Sequence, residues 1–132
     1  MQTKRFNAMR VSLAAVAAAA LFGAGVLAGA NKFGTPSSVV HVVTIQWKSS
    51  ATAEQKTAAI EGVRKMAGEI PGIKNIWLKT LKVQPRDYHA AIVMEFKDQA
   101  AFDAYANAPA HKEWEKIYLP VRGESTTHDI TN

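Results

Sequence analysis

Cysteine is absent from this 132-residue chain. Neither disulfides nor thiolate metal sites can help hold it together, and no N-terminal cysteine is present to carry a lipid. Histidine is scarce, with four residues at positions 41, 89, 111 and 128. None pairs with another as His-x-His or His-x-x-x-His, so no metal site is expected. With 48% hydrophobic and 20% charged side chains, the composition fits neither a disordered chain nor a collagen-like repeat. The length leaves no room for a multidomain enzyme, and one domain is expected.

Acidic residues number 11 against 16 Lys plus Arg, and the isoelectric point lies near 9.6. That balance raises the question of nucleic acid or an anionic membrane. Its distribution along the chain shrinks the question. Lys4, Arg5 and Arg10 stand in an acid-free first segment, followed by an uncharged apolar run from Val11 to Leu27 that ends in Ala28, Gly29 and Ala30. This is the layout of a secretory signal peptide over residues 1–30, with cleavage after Ala30. The paired arginines of a twin-arginine signal are missing, which points to the general secretory route. The alternative is an uncleaved N-terminal anchor, since 17 apolar residues sit at the short edge of what spans a bilayer. Only through this segment is a membrane contact expected. Cleavage leaves 102 residues with 13 basic and 11 acidic side chains, a formal net charge of +2. The expected destination is the periplasm or the extracellular space, and a core this modest gains from association with a second copy.

Residues 31–38, with Gly34, Pro36 and two serines, read as a linker, and a domain over 39–131 follows. From Val39 to Trp47, His41, Val43, Ile45 and Trp47 alternate with Val40, Val42, Thr44 and Gln46, as in a strand with one apolar face. Thr52 with Gln55 fits a capping box, and Ile60, Val63, Ala67 and Ile70 recur at helical spacing, which predicts a helix from about Thr52 to Glu69. Pro71 and Gly72 end it. A second strand is expected from Ile73 to about Val83, a turn at Gln84 to Asp87, and a third strand from Tyr88 to Phe96. Asp98 can cap a helix carrying Ala101, Phe102 and Tyr105, and Pro109 stands where another helix would start and run through Trp114 to Tyr118. A last, weaker strand falls within Val121 to Ile130.

The resulting order, β-α-β-β-α-β with a broken second helix, predicts an α+β, ferredoxin-like fold: a four-stranded antiparallel sheet with helices on one face. Val40, Val42, Ala91 and Val93 give the other face enough apolar surface to need a cover, which a second subunit would supply. RNA-recognition domains share this order of elements. The segment from Arg86 to Val93 lacks the glycine and second aromatic with which they stack bases, so no nucleic-acid partner is expected.

Four stretches together resemble the stress-responsive A/B barrel proteins: HVVTIQWK from His41 to Lys48, the Ile70-Pro-Gly-Ile73 turn, VMEFKD from Val93 to Asp98, and Tyr105-x-x-x-Pro109-Ala-His111. The resemblance runs from Val39 to Asp129. It implies a homodimeric α+β barrel that pairs through its sheets. Many members have no assigned reaction, while some are polyketide cyclases that perform aldol-type condensations without a cofactor. In those, a Tyr and a His in the segment matching Tyr105 to His111 act at the reacting centre, and a His at the position of His41 lines the pocket. The family often has a further His where this chain has Ala90. His89 stands one residue earlier, and on a strand that shift reverses the face.

His111 and Tyr105 are therefore the candidate catalytic pair, and His41, Trp47 and Phe102 the candidate ligand contacts. An imidazole can take a proton from a carbon beside a carbonyl, and a phenol can donate to the enolate oxygen. The plainer alternative is that the histidines satisfy backbone carbonyls, Tyr105 packs on Phe102, and the tryptophans are core or dimer contacts. Asp129 is expected to hydrogen-bond structurally in the last strand, and Glu113 and Glu115 to form a solvated helical face. The expected protein is an exported homodimer that binds a small apolar, aromatic or phenolic ligand. The alternative is a cofactor-free cyclase or isomerase, with a cofactor-free monooxygenase as a third option. Export weighs against polyketide cyclisation, which ordinarily occurs beside a cytoplasmic synthase.

Overall fold

A computed structural model of the chain describes residues 34–132. The proposed signal segment, residues 1–30, and the start of the linker lie outside the described residues. Residues 34–38 carry no regular structure, and β1 (Val39–Trp47) follows. α1 (Ala53–Glu69) begins on a complete capping box, with the Thr52 hydroxyl accepting from the Gln55 N–H and the Gln55 side chain accepting from the Thr52 N–H. Each satisfies an amide that the first helical turn leaves without a partner. α1 ends at Ile70 and Pro71. Gly72 follows with φ +94°, and a Cβ there would lie 2.6 Å from the Ala101 Cβ.

β2 (Ile73–Trp77) is shorter than the alternation of the sequence suggests. It lies at the sheet edge, where its pairing with β3 (Ala90–Phe96) stops at Trp77 opposite Val93. Beyond it, the Thr80 hydroxyl accepts from the Ala91 N–H at 2.8 Å and replaces the backbone ladder with a side chain. Leu81 and its neighbours then turn out to solvent. β3 likewise begins two residues later than expected, because Tyr88 is held in a turn by the Pro85 carbonyl. α2 (Gln99–Tyr105) is capped by Asp98, α3 (Pro109–Tyr118) has proline in its first turn, and β4 (Arg122–Ile130) closes the chain.

The sheet has the order β2-β3-β1-β4, every neighbouring pair antiparallel. This is the ferredoxin-like arrangement, in which the β1-α1-β2 crossover leaves one place that β3 fills. Alternate residues Val43 and Ile45 of β1, and Ile92, Met94 and Phe96 of β3, point to the helix face and are buried with Ala59, Val63 and Met66 of α1 and Trp114 and Tyr118 of α3. On the opposite face Trp77, Val93, Val42 and His128 form one cross-strand row. Trp77 and Ile130 are more than half exposed there.

Near its start, β4 carries a bulge: Ile45 opposes Ser125 and Trp47 opposes Arg122, so three steps of β4 match two of β1. The extra residue changes the parity of the strand. Gly123 fits this bend, since a Cβ would meet the Gln46 carbonyl oxygen at 3.0 Å.

Candidate functional site

β1 presents His41 on the helix face, and the register sets Asp129 of β4 directly across from it. His41 Nδ1 lies 2.5 Å from the Asp129 carboxylate. A carboxylate only accepts, so Nδ1 carries the hydrogen that joins the two side chains. The expected hydrogen-bonding part of Asp129 is thus played toward His41, whose side chain is largely buried while Asp129 stays half-exposed.

The break between α2 and α3 brings in the other two groups. Asp98 fixes the start of α2 by accepting from the Ala101 N–H at 2.8 Å, and seven residues on from Asp98 Tyr105 is buried at the end of that helix. Pro109 then starts α3 without losing a hydrogen bond, because the first turn of a helix has none to give. His111 follows two residues later, its Nδ1 donating to the Ala106 carbonyl at 3.2 Å. The rings of Tyr105 and His111 are 4.2 Å apart, and those of His41 and Tyr105 5.7 Å.

The position of α3 rests on Gly62. The Trp114 indole donates to the Ala59 carbonyl at 2.8 Å, and a Cβ on Gly62 would stand 3.0 Å from Trp114. Held there, Trp114 stacks on Tyr118 at 4.4 Å.

These side chains enclose a cavity of about 180 Å³. Val43, Ile92 and Met94 form its floor, α3 contributes His111, Trp114, Glu115 and Tyr118, and β4 contributes Arg122, Ser125 and Thr127. Burial pushes the His111 imidazole below its ordinary value of 6.5, outweighing the opposing pull of the Ala106 carbonyl and Glu115. The ring is therefore neutral at neutral pH. Burial also raises the Tyr105 phenol, with the Glu115 charge adding to it, so the hydroxyl stays protonated. The arrangement joins a neutral imidazole acceptor, a phenol donor and a second imidazole held in one tautomer.

Of the five residues singled out in the sequence, His41, Tyr105 and His111 meet at this cavity. Phe102 packs against His41 and Phe96, with ring separations of 5.5 and 5.4 Å, but does not line the cavity. Trp47 borders a separate groove with Lys56, Thr57 and Ile60 beneath the start of α1. His89 lines neither of them. It is exposed and its Nδ1 accepts from the Trp47 N–H at 3.0 Å, continuing the ladder beyond Ala90. Glu115 corrects the expectation of a solvated face: it lines the cavity 4.0 Å from His111 and also meets Lys112 at 3.2 Å. Its spacing of four from His111, and that of Tyr118 at seven, was the signal available. Arg122 and Ser125 gave none, because the bulge breaks the period of two.

A split βαββαβ sheet with a cavity between its helix face and a broken second helix defines the ferredoxin-like α+β class. Residues 39–132 match the Stress Responsive A/B Barrel Domain family, and the chain belongs to it. No curated protein matches significantly. Among solved structures, a dimeric ferredoxin-like protein of unknown function from Thermobifida fusca is 20% identical with a TM-score of 0.65, over 76% of this chain and 96% of that one. A family protein with the same fold from Mesorhizobium loti is 22% identical with a TM-score of 0.63, over 72% and 96%. A hydroxynitrile lyase from Passiflora edulis is 19% identical with a TM-score of 0.66, over 72% and 93%. At these identities the likeness is one of fold.

Proposed function

We propose that the protein is an exported homodimer that binds a small, partly aromatic molecule in the cavity between the sheet and α3. The observation that carries this reading is the convergence of His41, Tyr105 and His111 on one space of about 180 Å³ with an apolar floor. That volume is below the roughly 300 Å³ at which pockets for drug-sized ligands begin, so the ligand has the size of a single ring. Pairing through the sheets is supported by the apolar row on the outer face and by the dimeric neighbours. Export is supported by the sequence of residues 1–30 alone. The test is a thermal-shift screen of single-ring phenols and small β-dicarbonyl compounds, repeated on His41→Ala. The expected result is a set of hits that the substitution abolishes. Hits that survive it, or none at all, count against the reading.

Acid-base turnover is a second reading, favoured by the His41–Asp129 pair beside a neutral His111 and a protonated Tyr105. His111 would take a proton from a carbon beside a carbonyl while Tyr105 donates to the enolate oxygen, as in an isomerase or cyclase. A hydroxynitrile lyase shares this fold, which supports the reading of the cavity as a place for small-molecule chemistry. This reading expects His111→Ala to abolish turnover of a cavity ligand with Tm changed by only a few degrees. Loss of folding instead would leave His111 a structural residue.

A further inference from the structure

The β4 end of the cavity carries a second set of polar groups that the His41, Tyr105 and His111 cluster does not use. The Tyr118 hydroxyl is buried, with the residue only 4% exposed, and has no hydrogen-bond partner among the described residues. Arg122 and Ser125 approach it from β4 closely enough to offset part of the rise that burial imposes on the phenol, yet neither reaches hydrogen-bond geometry with the hydroxyl. A buried hydroxyl without a partner is costly to leave so, and such groups are rare in folded proteins. Arg122 spreads its guanidinium over the Tyr118 ring, 5.6 Å from the centroid. No ion pair among the described residues includes it. The acid that shares the cavity, Glu115, stands beside His111 and is met by Lys112 at 3.2 Å, so it does not neutralise Arg122.

Three groups there can donate: a guanidinium, a phenol that burial keeps protonated, and the Ser125 hydroxyl. The complement of such a set is a group that only accepts and carries negative charge. Resting on the reading of this cavity as a ligand site, we infer that its β4 end is a carboxylate subsite in which Arg122, Tyr118 and Ser125 receive the acid group of a single-ring carboxylic acid. The ring lies on Val43, Ile92 and Met94, and its far edge meets Tyr105 and His111. The bulge in β4 is what makes the subsite, because it turns Arg122 to the same face as Ser125.

The test is isothermal titration calorimetry at pH 7 with benzoate and its neutral analogue benzamide. On the unmodified protein benzoate is expected to bind about tenfold tighter or more, the scale of one hydrogen bond to a charged group. Arg122→Gln should bring benzoate down to the affinity of benzamide and leave benzamide unchanged. Tyr118→Phe, which removes only an unpartnered hydroxyl and keeps the ring stack, should weaken benzoate selectively and guards against a folding defect in the first variant. Equal binding of the two probes, or a benzoate preference that survives Arg122→Gln, overturns the subsite while the ligand cavity stands. Binding of neither probe also overturns the subsite, and the screen of phenols and β-dicarbonyl compounds decides the cavity reading separately.

Discussion

His41 and Asp129 are 88 residues apart in the sequence, and their side chains meet at 2.5 Å across the β1–β4 ladder. His41 lines the cavity, and the Asp129 carboxylate behind it decides which imidazole nitrogen carries the hydrogen. Asp129→Ala is expected to release that control. Two-bond ¹⁵N–¹H NMR should then show a growing population of the Nε2–H form of His41, while stability changes by less than about 1 kcal/mol because the pair is partly exposed. An unchanged tautomer pattern would mean that Asp129 is a bystander.

The depressed proton affinity of His111 has a pH signature. Its folded-state pKa lies below the ordinary 6.5 because burial disfavours the cation, so the unfolded chain binds more protons in the window just below that value. Stability therefore falls as pH drops through 6.5 and the loss levels off below the folded pKa. Melting curves between pH 7.5 and 5 should fall more steeply for the unmodified protein than for His111→Gln. The other histidines are common to both, so equal slopes would contradict the shift.

Tyr118→Phe is expected to stabilise the ligand-free protein, by up to about 1–3 kcal/mol, since it deletes a buried hydroxyl that has no partner. Urea unfolding measures this directly. A loss of stability would show that the hydroxyl is satisfied in solution.

Gly72 combines φ +94° with a prospective Cβ only 2.6 Å from Ala101. Gly72→Ala should lower stability by more than about 1 kcal/mol and shift the α1–β2 turn against α2. Thermal melting with unchanged far-ultraviolet circular dichroism at 20 °C is the expected picture, and a neutral substitution would refute the strain argument.

In the proposed homodimer the row of Trp77, Val93, Val42 and His128 is the seam. Val42→Glu buries a charge within that seam and should shift sedimentation velocity from dimer to monomer. A dimer that persists at low micromolar concentration would place the interface elsewhere.

Much of the fold was legible in the chain because its signals are local. The Thr52 and Gln55 box, the Asp98 cap and the proline at the head of α3 each act within one helical turn, and all three are present as read. The strand alternation of β1 held because both its neighbours are backbone-paired along its length. The same alternation overran β2, where Thr80 substitutes a hydroxyl for the ladder. Trp47 was read on the face of β1 that carries His41, and Phe102 on the helix that carries Tyr105, yet a face is wider than a pocket. Trp47 ends up in a groove with the start of α1, and Phe102 packs beside the His41 ring without lining the cavity.

The sequence by itself determined the order of elements and the caps and breaks that bound them, while the resemblance to a family is what pointed to His41, Tyr105 and His111. Periodicity and capping are written in neighbours a few residues apart, so no tertiary knowledge is needed to see them. Tertiary structure alone decided that His41 pairs with Asp129, that Glu115 turns inward, and that a bulge brings Arg122 to the unpartnered hydroxyl of Tyr118. Those relations depend on strand register and helix packing, in which one added residue changes the face of everything beyond it.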